Sequence, residues 1–158
     1  MKWYLILFIL LFSQVTIAQD NVVVPSAKRD SIVKYAKKWV GTPYLWGGSS
    51  SNGFDCSGFV HYVFKHFNIS VPRTSRSYKE KKNEVVLEQS SPGDVILFTG
   101  TNSSIREIGH VGIIISNVDG VIDFIHSSSS KKHYGVTITR YNASGYVKRF
   151  MKVVNILK

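Results

Sequence analysis

Three residues of this sequence have the types needed for nucleophilic chemistry on a carbonyl. They are the single cysteine, Cys56, and two histidines, His110 and His126, each placed at an end of an apolar run. A thiol attacks carbonyls only as its thiolate, and a free cysteine with a pKa of about 8.5 is mostly protonated near neutrality. Two devices lower that barrier. The unpaired N–H groups and dipole of a helix's first turn favour an anion, and an imidazolium beside the sulfur does the same. The same helix end can aim N–H groups at the oxyanion of a tetrahedral intermediate. Two other readings compete: Cys56 as a small buried core residue, and Cys56, His110 and His126 as three ligands of a zinc ion with water as the fourth. A lone cysteine excludes an internal disulfide and zinc sites built from several thiolates. His61, His66 and His133 read as solvated surface.

The elements around these residues are legible from periodicity. Cys56, Phe59, Val60, Val63, Phe64 and Phe67 follow helical spacing, with Asp55 as the cap and Lys65 outward, so Cys56 falls in a first helical turn. An earlier helix begins at Pro25 and Ser26, carries Ile32, Val33, Ala36, Trp39 and Val40 on one stripe, and stops at Gly41 and Pro43. Between them, residues 41–53 form a Gly- and Ser-rich loop that brings Tyr44 and Trp46 to a surface. Thr74 can cap a short helix through about Lys82. After the turn at Pro92 and Gly93, short β-branched runs at 95–98, 111–115, 121–125 and 136–139 read as strands, and 146–156 as one or two more. Helices first and strands second give an α+β fold with an antiparallel sheet.

His110 heads one strand and His126 closes the next. With a three-residue loop at Val118, Asp119 and Gly120, His126 pairs opposite Gly112 and shares a face with His110; diagonal neighbours on one face lie roughly 7–8 Å apart, so the rings can meet. A two-residue turn at Asp119 and Gly120 would put them on opposite faces.

Composition narrows the function classes. The chain has 158 residues, 44% hydrophobic and 19% charged, which fits one packed domain and excludes a disordered or repetitive chain. Lys2 precedes an unbroken apolar run at 3–12, followed by Thr16, Ile17 and Ala18, so residues 1–18 read as a secretion signal; the run is too short for a membrane span, which needs about 20 residues. The expected product is soluble, with no stable membrane insertion. Without that segment 19 basic residues face 10 acidic ones, a net +9 suited to an anionic partner. The basic residues are scattered rather than interleaved with aromatics, which argues against nucleic acid. The sequence sets no oligomeric state.

Several motifs occur in order: Gly41-Thr42-Pro43-Tyr44, Gly47-Gly48, Asp55-Cys56-Ser57-Gly58-Phe59-Val60, Pro72-Arg73-Thr74-Ser75, Pro92-Gly93-Asp94, Gly109-His110-Val111-Gly112 and Phe124-Ile125-His126. Together, from about residue 32 to the C-terminus, they resemble the NlpC/P60 cysteine peptidases. The resemblance implies a papain-like α+β core with the cysteine at a helix N-terminus packed on the sheet, here residues 31–158 after a lead at 19–30. It implies Cys56 as nucleophile, His110 as general base and acid, and His126 as the residue that orients His110, with no metal and no cofactor. Tyr44, Asp55, Ser57 and Arg73 resemble substrate-side residues; for Asp55 a helix cap, and for Arg73 a structural ion pair, are equally open. The implied substrate is the peptide stem or crosslink of bacterial peptidoglycan, or released muropeptides. Within the family the chain looks most like Spr-type murein endopeptidases, which cut the D-alanyl–diaminopimelate crosslink, but it lacks their lipidation cysteine. The alternatives are a γ-D-glutamyl-diaminopimelate endopeptidase and, in another class, an inactive wall-binding module.

Overall fold

A computed structural model of the chain describes residues 26–157. The expected signal segment, residues 1–18, and residues 19–25 of the lead lie outside the described residues. No described helix is long and apolar enough to cross a membrane.

Helix α1 spans Ser26–Lys37 and buries Ile32, Val33 and Ala36. It ends one turn earlier than its apolar stripe suggests, because the Gly41 N–H donates to the Val136 carbonyl at 2.9 Å and draws the chain toward the sheet, leaving Val40 half-exposed. Two-residue strands β1 (Ser49–Ser50) and β2 (Gly53–Phe54) then pair within the expected loop. Helix α2, Cys56–His66, buries Phe59, Val60, Val63 and Phe64, as its periodicity requires. In place of the helix expected from Thr74 there is only a 3-10 turn at Arg76–Glu80. Tyr78 is its sole buried residue, and without an apolar stripe a longer helix has nothing to pack.

The rest is a six-stranded antiparallel sheet built from β3 (Glu84–Val85), β4 (Val95–Thr99), β5 (Ile108–Val118), β6 (Val121–Ser130), β7 (His133–Arg140) and β8 (Phe150–Val154). The spatial order is β3-β8-β4-β5-β6-β7. β5 and β6 run well past their apolar segments. Ser127 to Ser130 pair with Val136 to His133, so ladder hydrogen bonds rather than side-chain hydrophobicity extend the strand. One sheet face packs against both helices through Val95, Leu97, Val111, Ile113, Ile125 and Val154. The other carries a second cluster that includes Ile96, Phe98, Ile114, Ile122 and Phe124.

The β5–β6 hairpin departs from the expected loop. Val118 pairs with Val121 across a two-residue turn, with Asp119 and Gly120 both at positive φ (51° and 78°), the pattern of a type I′ hairpin. That turn alone would send the two histidines to opposite faces. The register, however, shifts between Ile114 and Ser116, so Ile115 is an extra residue in β5, and Ile113 pairs with Ile125. The bulge restores the parity that the shorter turn removes, and one step beyond the Ile113–Ile125 pair Gly112 lies against His126.

Gly112 is the point of closest approach. A Cβ built there would lie 2.8 Å from Phe124 Cδ2, 3.0 Å from the Ile125 carbonyl oxygen and 3.2 Å from His126 Cβ. Gly112→Ala should therefore cost about 1–3 kcal/mol through overpacking against β6. Urea unfolding measures this, and an unchanged midpoint would show that β6 moves aside freely.

Candidate active site

Asp55 sits in extended conformation before α2, and its Oδ1 accepts the Gly58 N–H at 2.6 Å and the Ser57 hydroxyl at 3.2 Å. This cap satisfies one of the donors a helix start leaves unpaired. Cys56 is the next residue. Backbone N–H groups of Ser57, Val111 and Cys56 itself lie near enough to its thiol to favour the anion. Val111 follows His110 on β5, so the sulfur lies between the first turn of α2 and the strand segment that carries the histidine.

His110 Nε2 and His126 Nδ1 are 2.9 Å apart, with the rings edge to face at 89°. His126 Nε2 is 3.0 Å from Thr139 Oγ1. We assign the proton on His110 to Nε2, donating to His126 Nδ1, and the proton on His126 to Nε2, donating to Thr139. His110 Nδ1, which makes no hydrogen bond among the described residues, is then an available acceptor. Tyr146 lies over this pair: its ring stacks on His110 with centroids 5.5 Å apart, and its hydroxyl is 3.4 Å from His110 Nε2. The Arg149 guanidinium sits 4.7 Å from the Tyr146 ring.

The electrostatics differ from the sequence expectation of a sulfur held as an anion. Burial pushes the Cys56 thiol up to about 11, and the Asp55 carboxylate adds to this, while the three N–H groups only partly oppose it. Burial also lowers both imidazoles, His126 to about 3 and His110 well below its ordinary range, with the Arg149 charge pushing both further down. The resting site is therefore a thiol beside two neutral imidazoles. A neutral His110 is in the protonation state a general base requires.

Three of the four substrate-side candidates are tied to one another. Arg73 donates to both Asp55 oxygens, at 3.1 and 3.0 Å, to Ser57 Oγ at 3.3 Å and to the Gly47 carbonyl at 2.7 Å. The network joins the 41–53 loop to the start of α2, so Arg73 has an ion pair within the fold and Asp55 serves as cap and counter-ion together. Tyr44, on the same loop, packs against Tyr134 with ring centroids 5.5 Å apart. Burial raises the Tyr44 phenol, and Cys56 is the next cause, which puts its hydroxyl in the field of the thiol. The zinc alternative asks Cys56, His110 and His126 to converge on one point. The two rings instead bond each other, and among the described residues no group of three or more His, Cys, Asp or Glu side chains is disposed to hold a metal ion. His66 and His133 are exposed and His61 is partly so, in keeping with surface roles.

Thr139, Tyr146 and Arg149 were not legible as site residues. Thr139 stands diagonal to His126 across the β6–β7 ladder, where Thr137 pairs with His126 and Thr139 with Phe124. The alternation in 136–139 would have flagged it had the register been known. Tyr146 and Arg149 come from the connection into β8, which carries no local signal.

The NlpC/P60 family profile matches residues 41–155. The γ-D-glutamyl-L-lysine dipeptidyl-peptidase of Bacillus cereus is 32% identical over 133 residues, 84% of this chain and 37% of that protein. The bifunctional muramidase/DL-endopeptidase CwlT of Bacillus subtilis is 37% identical over 89 residues, 56% of this chain and 27% of that one. The chain thus spans roughly a third of the length of these relatives. A solved NlpC/P60 family protein from Bacillus cereus superimposes with a TM-score of 0.71 at 30% identity, covering 82% of this chain and 40% of the other.

Stability should respond to pH on both sides of neutrality. The buried histidines refuse protons that the unfolded chain accepts, so their contribution is complete above about 6.5 and is lost at lower pH, for His126 as pH falls to about 3. The slope is up to about 1.4 kcal/mol per pH unit for each histidine. The unfolded thiol ionises near 9 whereas the folded one holds its proton to about 11, so stability also falls as pH rises through that window. Urea unfolding from pH 4 to 10 should show a maximum between about 6.5 and 9, with the onset of the alkaline decline flattened in Cys56→Ala. A profile level from pH 6.5 down to 4 would contradict the buried neutral pair.

Proposed function

The chain belongs to the NlpC/P60 family, and from that premise we propose that it is an exported cysteine peptidase hydrolysing peptide bonds in the stems or crosslinks of bacterial peptidoglycan. The observation that carries the reading is the sulfur lying against the N–H of the residue after His110, with His110 bonded to His126 behind it.

In the proposed reaction the Cys56 sulfur attacks the scissile carbonyl carbon as its proton passes to His110 Nδ1. The N–H groups at the start of α2 hold the oxyanion that forms. His126, braced by Thr139, fixes the His110 ring and stabilises it while it is charged. Collapse of the tetrahedral intermediate breaks the C–N bond, and His110 returns the proton to the departing amine. Water, deprotonated by His110, then cleaves the thioester and restores the thiol. Forming the ion pair during attack, rather than storing it, suits a site whose thiol lies high and whose imidazoles lie low. Tyr44 lines the approach to the sulfur. Asp55 and Ser57, held by Arg73, present the polar edge to which the stem's amine end binds. The basic surface favours an anionic wall polymer.

Two bonds suit this chemistry. The motif resemblance to Spr-type enzymes supports the D-alanyl–diaminopimelate crosslink. The activity for which the Bacillus cereus relative is named, over an alignment that covers most of this chain, supports a γ-D-glutamyl bond instead. Digesting defined muropeptides and weighing the products distinguishes them.

Cys56→Ala should abolish turnover of isolated peptidoglycan, and His110→Ala should reduce it by about 10²- to 10⁴-fold, both with the fold intact by circular dichroism. His126→Ala should cost less than His110→Ala, because an orienting role is partly replaceable. Residual full activity in Cys56→Ala would overturn the assignment.

A further inference from the structure

A cavity of about 550 Å³ opens beside His126, on the sheet face opposite the helices, and Tyr146, which stacks on His110, is part of its wall. Ser128, Lys132, Arg140 and Arg149 line it as well. It contains no Asp or Glu among its lining residues. Arg140 is neutralised by Asp123, at 3.0 Å. Arg149 is different: no carboxylate pairs with it among the described residues. One nitrogen donates to the Thr99 carbonyl at 2.9 Å, and its Nε is buried without any partner among the described residues. That N–H has no exposed surface for a ligand to reach, so it is the uncompensated charge of Arg149, rather than the unpaired Nε, that an anion in the cavity answers.

The position relative to the chemistry assigns the ligand. For His110 to return a proton to the departing amine, that nitrogen must lie at the His110 ring. Tyr146 both covers that ring and forms the cavity wall, so a substituent on the departing residue passes over Tyr146 toward Arg149. We propose that the cavity is a leaving-group subsite in which Arg149, assisted by Lys132 and the Ser128 hydroxyl, binds a free carboxylate on the residue released as the amine. This rests on the hydrolase reading above and names the specificity of the same site. When the released residue is diaminopimelate, either candidate bond leaves such a carboxylate on it, and a planar guanidinium suits it better than a point charge. An anion there also offsets the positive field that lowers the imidazoles, so the bound substrate makes His110 a stronger base.

The test uses two muropeptides that differ only in whether the free carboxylate of meso-diaminopimelate is present as the acid or as the carboxamide. The wild-type chain should prefer the acid by about tenfold or more in kcat/KM, as loss of a charge-assisted contact implies. Arg149→Gln should bring that ratio to within about twofold, mainly by slowing the acid form, and Lys132→Gln should lower it in part. An Arg149→Gln variant that slows both substrates equally would show that Arg149 only supports Tyr146 and Thr99, and would overturn the proposal. So would a wild-type ratio near one. Calorimetric binding of the same pair to Cys56→Ala separates this from the hydrolase reading. If the wild-type chain turns over neither muropeptide, hydrolysis fails, and the binding ratio alone then decides the subsite: tighter binding of the acid, lost in Cys56→Ala with Arg149→Gln, supports it, and equal affinities sink it.

Discussion

The start of α2 presses its cysteine against the β5 backbone, and that contact determines the rest of the site. The helix brings N–H groups, the strand brings another N–H and the histidine, and the packing that joins them strips water from all of these groups. Desolvation then outweighs the helix end. The thiol is held high and both imidazoles low, so the resting site carries a neutral sulfur and two neutral rings. An ion pair at rest would need solvent or a counter-ion; hydrogen bonds from His110 through His126 to Thr139 instead fix the orientation of the neutral rings.

A second set of interactions keeps the helix start in place. Asp55 caps α2 and receives Arg73, which also grips the Gly47 carbonyl, so the loop carrying Tyr44 and Trp46 is joined to the same turn that carries the thiol. Arg73 is about one-third exposed, so its charge pairing is screened and its geometric role, several donors spread over three chain segments, carries more weight than its Coulomb energy. The 41–53 loop and the turn that carries Cys56 are therefore positioned by one shared guanidinium.

Much of this was legible in the sequence, for identifiable reasons. The 3.6-residue spacing from Cys56 to Phe67, with Asp55 before it, located the helix and put Cys56 in its first turn, since cap and stripe are local signals. The pairing of His110 with His126 followed from strand parity, yet the expected three-residue loop was incorrect: the turn has two residues and Ile115 supplies the missing one. Two departures cancelled, which local sequence cannot reveal because a bulge leaves no mark in an all-apolar run. Thr139, Tyr146 and Arg149 depend on register and on the path of the chain into β8, both set by tertiary packing. The protonation state of Cys56 was hidden for the same reason, since burial is a property of what covers the sulfur and not of its neighbours in the chain.

That compensation couples the tip of the hairpin to its interior. A relative that gains a residue at the tip and loses the one at 115 keeps both rings on the same side, whereas a relative that alters only one of them turns the second ring into the layer packed by the helices. Length changes at the two places should consequently occur together, and a longer tip by itself is no sign that the histidine pair has been abandoned.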